Sequence, residues 1–184
     1  MRQLLFLSLA ALACFGVFSL PQTSAAPKPN QPDKPNLSGI WILDLEASTS
    51  VGPLMKQIGA GLVDRAYVAS TTLKATLHQT DKILTIAARG PDFAIDQTLY
   101  LDGRTVTSNK QLLGATALNT RAAWSEDGKR LVATSQIKTK QGKQGQLIIK
   151  RYLMNGGKNL VAVYTLKLDG EPETSARQVW VKQA

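Results

Sequence analysis

From Leu37 to the C-terminus, short runs of alternating apolar and polar residues follow one another, the period of two that marks half-buried β-strands. Ten such runs stand out: residues 37–46, 72–79, 82–88, 95–101, 104–110, 115–125, 130–138, 144–153, 159–168 and 176–183. Most are joined by turn chemistry: Thr80-Asp81, Gly90-Pro91-Asp92, Asp102-Gly103, Asp127-Gly128, Gln141-Gly142, Asn155-Gly156-Gly157 and Asp169-Gly170. Asp-Gly and Asn-Gly pairs tolerate the positive φ that tight hairpins need. A meander of this length closes on itself to remove its edges. One segment breaks the rhythm. In residues 51–67, Leu54, Ile58 and Leu62 recur at helical spacing with Pro53 at a first-turn position. Gly59-Ala60-Gly61 interrupts that pattern, which predicts two short helices with a bend between them. The expected fold is all-β: a ten-stranded antiparallel up-and-down barrel with a two-helix lid between the first and second strands.

The alternation also assigns faces. In the first strand Gly39, Trp41, Leu43 and Leu45 form an inward row, against Ile40, Ile42, Asp44 and Glu46 outside. In the ninth, Leu160, Ala162, Tyr164, Leu166 and Leu168 face inward. Ile40 and Ile42 are then outward apolar residues, placed either under a neighbouring segment or against a partner. The eighth strand holds the anomaly that bears most on function. Leu147, Ile149, Arg151 and Leu153 share one face, so a guanidinium stands in an apolar row. Inside a barrel it costs several kcal/mol unless paired, and no acidic residue falls on an inward row of the neighbouring strands. Water or a ligand must satisfy it. A ligand carboxylate or carbonyl does so through forked hydrogen bonds, with Tyr164 able to add a hydroxyl. Two plainer readings stand beside this one. Arg151 organises buried waters in a barrel that carries nothing, or the strand is an edge, or has its two faces the other way round, and Arg151 is solvated.

Composition adds a compartment. Met1-Arg2 and the apolar run from Leu4 to Leu20 have the form of a secretory signal over residues 1–25, with small residues before a cleavage point at Ala26 or Pro27. The rivals are an uncleaved membrane anchor and a lipoprotein signal at Cys14. Export places the chain in a periplasm or outside the cell. Residues 26–36, APKPNQPDKPN, hold four prolines in eleven positions and read as an extended spacer. Residues 37–184 form one domain, long enough for a core without staples. Removal of the leader removes Cys14, the only cysteine, and with it any disulfide or thiolate chemistry.

The chain is basic, 22 Lys and Arg against 13 Asp and Glu, which favours anionic partners. Nucleic acid is not expected, because no basic run carries interleaved aromatics. Lys138, Lys140, Lys143 and Lys150 crowd one hairpin and read as a solvated face, with transient contact to an anionic membrane surface as the second reading. His78 is the only histidine. No catalytic set can be assembled around it, and neither a metal site nor a phosphate-binding loop is expected. No cofactor is implied.

The ordered motifs resemble the intracellular lipid-binding family, the fatty-acid-binding and cellular retinol-binding proteins. LSGIWILD (37–44) carries that family's G-x-W first strand, and LMKQIGAGLVDRA (54–66) is close to its M-K-x-L-G-x-G-x-x-x-R lid. KILTI (82–86), IIKRYLMNGGKNLVAVYTLKLDG (148–170) and RQVWVK (177–182) resemble its third strand, its I-K-R-x-L-x-N-G-K-x-V hairpin and its closing strand. The resemblance implies a non-enzymatic, monomeric carrier of a small lipophilic molecule. Arg151 matches the family's inward arginine. Gln178 and Trp180 stand where a second arginine and a tyrosine hold a fatty-acid head group, a pairing closer to the retinol-binding branch. The tail is then expected along Leu43, Ile149, Leu153 and Leu166, the head near Arg151, Gln178, Trp180 and Tyr164, and the gate at Leu54, Met55, Ile58 and Leu62. G-x-W is shared with lipocalins, and an eight-stranded lipocalin barrel would require two of the ten runs to be loops. A structural or protein-interaction module of the cell envelope, without ligand, is the alternative from another class.

Overall fold

The computed structural model describes residues 34–91, 94–108, 111–112 and 115–183. The expected leader, 1–25, and the proline-rich spacer up to Asp33 lie outside the described residues. In chain order the elements are β1 (Gly39–Asp44), α1 (Gly52–Gln57), α2 (Leu62–Ser70), β2 (Lys74–Gln79), β3 (Ile83–Arg89), β4 (Ala94–Tyr100), β5 (Asp102–Thr107), β6 (Gln111–Leu112) and β7 (Ala115–Trp124). Then follow β8 (Leu131–Lys138), β9 (Gln144–Met154), β10 (Asn159–Leu168) and β11 (Thr174–Lys182).

Hydrogen bonding runs β4-β3-β2-β1-β11-β10-β9-β8-β7-β5, and β6 also pairs with β7. Since β5 and β6 lie against the same strand, they act as one interrupted strand, and ten antiparallel strands make a nearly closed barrel. The gap falls between β4 and β5, which are consecutive in the chain but share no ladder. Ten strands exclude the eight-stranded alternative.

The lid bends where the glycines are. Gly59 adopts φ 87°, a left-handed conformation that a side chain resists, and its N–H donates to the Lys56 carbonyl as α1 ends. A second helix then begins at Leu62 and runs to Ser70, three residues beyond the expected segment.

The inward row of β1 ends sooner than its alternation suggests. The Asp44 carboxylate accepts the Ala47 N–H at 2.9 Å, and the Asp44 carbonyl accepts the Ser48 hydroxyl, which turns the chain out of the strand. Leu45, expected to face inward, therefore lies past the end of β1 and is 36 % exposed.

Two packed regions fill much of the interior. At the end of the barrel where β1 begins, Leu37 and Trp41 are fully buried among Leu84, Leu99 and Leu131. The Trp41 indole N–H donates to the Leu37 carbonyl at 3.1 Å. Gln79 accepts the Leu37 N–H through its side-chain oxygen and donates to the Pro35 carbonyl through its nitrogen. The segment before β1 is thus stitched across this end as a plug. Toward the other end, Leu54 of α1 and Ile58, which caps its C-terminus, pack onto Ile137, Leu147, Ile149 and Leu166 of β8, β9 and β10. Each such side chain contributes on the order of 1.5–3 kcal/mol.

Candidate ligand-binding site

Strand register brings the expected polar residues together. Arg151 on β9 is opposite Leu131 on β8 and Ala162 on β10, and Ala162 is in turn opposite Gln178 on β11. Leu131, Arg151, Ala162 and Gln178 therefore form one inward row across four strands. Alanine between arginine and glutamine leaves space over the row. One row toward the lid are Ala133, Ile149, Tyr164 and Ala176; one row the other way are Leu153, Leu160, Trp180 and Leu43. Tyr164, Gln178 and Trp180 thus all lie within one row of the Arg151 level.

Arg151 is 7 % exposed, and its Nη1 is buried with no hydrogen-bond partner. Burial drives its pKa down from the ordinary arginine value, opposed by Tyr164. Burial likewise pushes the Tyr164 phenol up from 10.0, opposed by Arg151. Pushed above its ordinary value by burial, the phenol holds its proton at neutral pH, and an arginine side chain does not give up its own in a protein, so the guanidinium stays charged. Among the described residues no carboxylate forms an ion pair with it. The ion pairs among the described residues, Arg89–Asp96, Asp102–Arg104, Lys143–Glu171 and Lys167–Glu173, all lie on exposed side chains. A buried donor left without an acceptor costs about 1–3 kcal/mol.

A cavity of about 260 Å³ lies between the lid and the barrel. Val51, Met55, Ala60 and Val68 close it from the lid side, Leu73 lines it just before β2, and Ala88 and Ile95 line it from β3 and β4. Tyr164, Gln178 and Trp180 complete the wall, and the exposed Asp64 and Lys140 border it as well. Tyr164 keeps accessible surface, and that surface faces this apolar space, which is why its phenol is destabilised as an anion.

The remaining expected residues are distributed differently. Arg151 shares a row with Gln178 but does not itself border this cavity. The expected tail row divides: Leu43 and Leu153 belong to the cluster at the plugged end, Ile149 and Leu166 to the cluster under α1, and none of the four borders the cavity. Of the lid residues, Leu54 and Ile58 pack onto the barrel wall and Met55 borders the cavity. Leu62 is 73 % exposed, because the break at Gly59 takes it out of phase with α1. Val51, Val68, Leu73, Ala88 and Ile95 border the cavity without having been singled out. The inward alternation of Leu73-Ala75-Leu77, Leu84-Ile86-Ala88 and Ile95-Gln97-Leu99 is the signal that identifies three of them.

No protein-family model and no curated protein sequence matches the chain. Solved structures do. The structure described as "REP1-NXSQ fatty acid transporter" superposes with a TM-score of 0.62 at 16 % identity, covering 80 % of this chain and 96 % of that one. Human cRBP IV superposes at 0.63 with 15 % identity, covering 81 % and 99 %. Apo lipid binding protein 8 of Caenorhabditis elegans superposes at 0.62 with 14 % identity, covering 79 % and 94 %. At these identities the likeness is one of fold, and the fold is that of the lipid-binding barrels, as the sequence motifs implied.

Proposed function

We propose that this protein binds and carries a small lipophilic molecule with a polar end, without catalysing a reaction on it. The observation that carries the reading is the buried, unpartnered Nη1 of Arg151, one register row from a neutral phenol and in the same row as a glutamine. A ligand carboxylate, carbonyl or hydroxyl reaching that row supplies the missing acceptor, with Gln178 and Tyr164 as further partners. The apolar space beneath the lid takes the chain. At about 260 Å³ it lies just below the range of about 300–1,000 Å³ usual for ligand pockets, which favours a medium-length chain over a bulky one. The names of the structural neighbours, a fatty acid transporter, a retinol-binding protein and a lipid binding protein, support the same reading. Access is through the lid, with α2 as the part that moves, since it has no buried residue while α1 buries Leu54 and Met55 and is followed by the buried Ile58. The leader-like residues 1–25 support an exported, periplasmic or secreted carrier.

One observation favours the second reading, an interaction module without ligand. Ile149 and Leu166, half of the expected tail row, are packed into the core, while Ile40, Met154 and Val181 are exposed on the outer sheet. Native mass spectrometry of protein purified from its own host distinguishes the two. The carrier reading expects a bound lipid, or uptake of one from an extract. Protein that is empty and stays empty overturns it in favour of the module.

A further inference from the structure

We infer that Lys140 reads the outer end of the bound molecule, so that the preferred ligand is a chain with a polar group at each end and an anionic one at the mouth. This rests on the carrier reading above and narrows its ligand class. The lining of the cavity is apolar except for Tyr164 and Gln178, in the rows around Arg151, and the exposed Asp64 and Lys140.

Asp64 has an explanation within the fold. It stands in the first turn of α2, a helix whose start has no side-chain cap, where a carboxylate complements the positive end of the helix. Lys140 has no such explanation. It sits in the turn between β8 and β9, which is fixed by its backbone: the Thr139 N–H donates to the Lys143 carbonyl at 2.8 Å and the Gly142 N–H to the Thr139 carbonyl at 3.0 Å. That turn holds the lysine at the cavity. Lys143 is engaged by Glu171, whereas Lys140 enters no ion pair among the described residues. A plain hydrocarbon end arriving beside this ammonium gains nothing from it. A carboxylate or phosphate at the same place gains its attraction, and Lys138 on the same hairpin adds to the field.

The test compares decanoate with decanedioate, chains of equal length with one and two carboxylates, by isothermal titration on the wild type, Lys140→Gln and Lys138→Gln. The wild type is expected to prefer the diacid by about threefold to fivefold, the range of an exposed ion pair. That preference shrinks at high salt. Lys140→Gln abolishes it without weakening the monoacid, and Lys138→Gln retains it. Equal binding of both chains by the wild type, or a preference that survives Lys140→Gln, overturns the inference and leaves the carrier reading standing. A loss in Lys140→Gln that falls on both chains alike also overturns it, since the lysine would then hold a single head group. Binding of neither chain by the wild type overturns the carrier reading and this inference with it.

Discussion

The two ends of the barrel are built on opposite principles. At the end where β1 begins, Leu37 and Trp41 are fully buried, tied to each other by the indole N–H and to β2 by Gln79. At the lid end, α2 covers a cavity and buries none of its own residues. Burial and hydrogen bonding seal one end, and the other is left with a cover that can move at little energetic cost. Between them lies Arg151, whose buried Nη1 has no hydrogen-bond partner. The proposed carrier function needs this division: one end holds the fold, so that the other can open.

Substitutions at each end test that difference, beginning with the greatest loss. Trp41→Ala removes the largest side chain of the plug and is expected to cost about 3–5 kcal/mol, read from the shift in urea midpoint. Leu54→Ala, in the part of the lid that packs onto the barrel, is expected to cost about 2–5 kcal/mol by the same measurement. A loss well under 1 kcal/mol at Leu54 would mean that α1 is as loosely held as α2. Arg151→Met replaces a buried uncompensated charge with an apolar side chain of similar length, and is expected to raise stability by about 1–3 kcal/mol.

The pH dependence follows from Tyr164. Its phenol is pushed above 10.0 in the folded barrel, so above that pH the unfolded chain releases a proton that the folded one retains. Stability is therefore fully present below pH 10.0 and falls as the pH rises past it. Tyr164→Phe should flatten that decline in denaturation curves recorded across the alkaline range; an unchanged slope would remove Tyr164 from the dry interior. The smallest effect is expected from Leu62→Ser, within about 0.5 kcal/mol, because Leu62 touches little.

Much of the architecture was legible because it is written in local periodicity. Alternation located all ten strands, and Gly59 and Gly61 marked the bend between two helices. The residues around Arg151 were legible in two ways: strand parity puts Arg151 and Tyr164 on inward rows, the family resemblance pointed to Gln178 and Trp180, and the register brings the four together. What parity leaves open is whether an inward residue meets a void or a neighbour. Ile149 and Leu166 face inward as expected but meet Leu54 and Ile58 of the lid, whereas Leu73, Ala88 and Ile95, equally inward, meet the cavity. Parity also gives no sign of where a strand stops. Leu45 continues the alternation of β1, yet the Asp44 turn has already carried the chain outward. Val161 shows the converse: an outward position that is fully buried, with the Arg177 guanidinium reaching Met154 on the same outer sheet.

The central claim is that the Arg151 guanidinium is kept, at a cost in stability, to meet a ligand. Displacement of a fluorescent medium-chain carboxylate, titrated on the wild type and on Arg151→Met, tests it most directly. The account predicts at least a tenfold loss of affinity in the variant, the worth of a charge-assisted hydrogen bond. An Arg151→Met protein that folds and binds the probe as tightly as the wild type would contradict it.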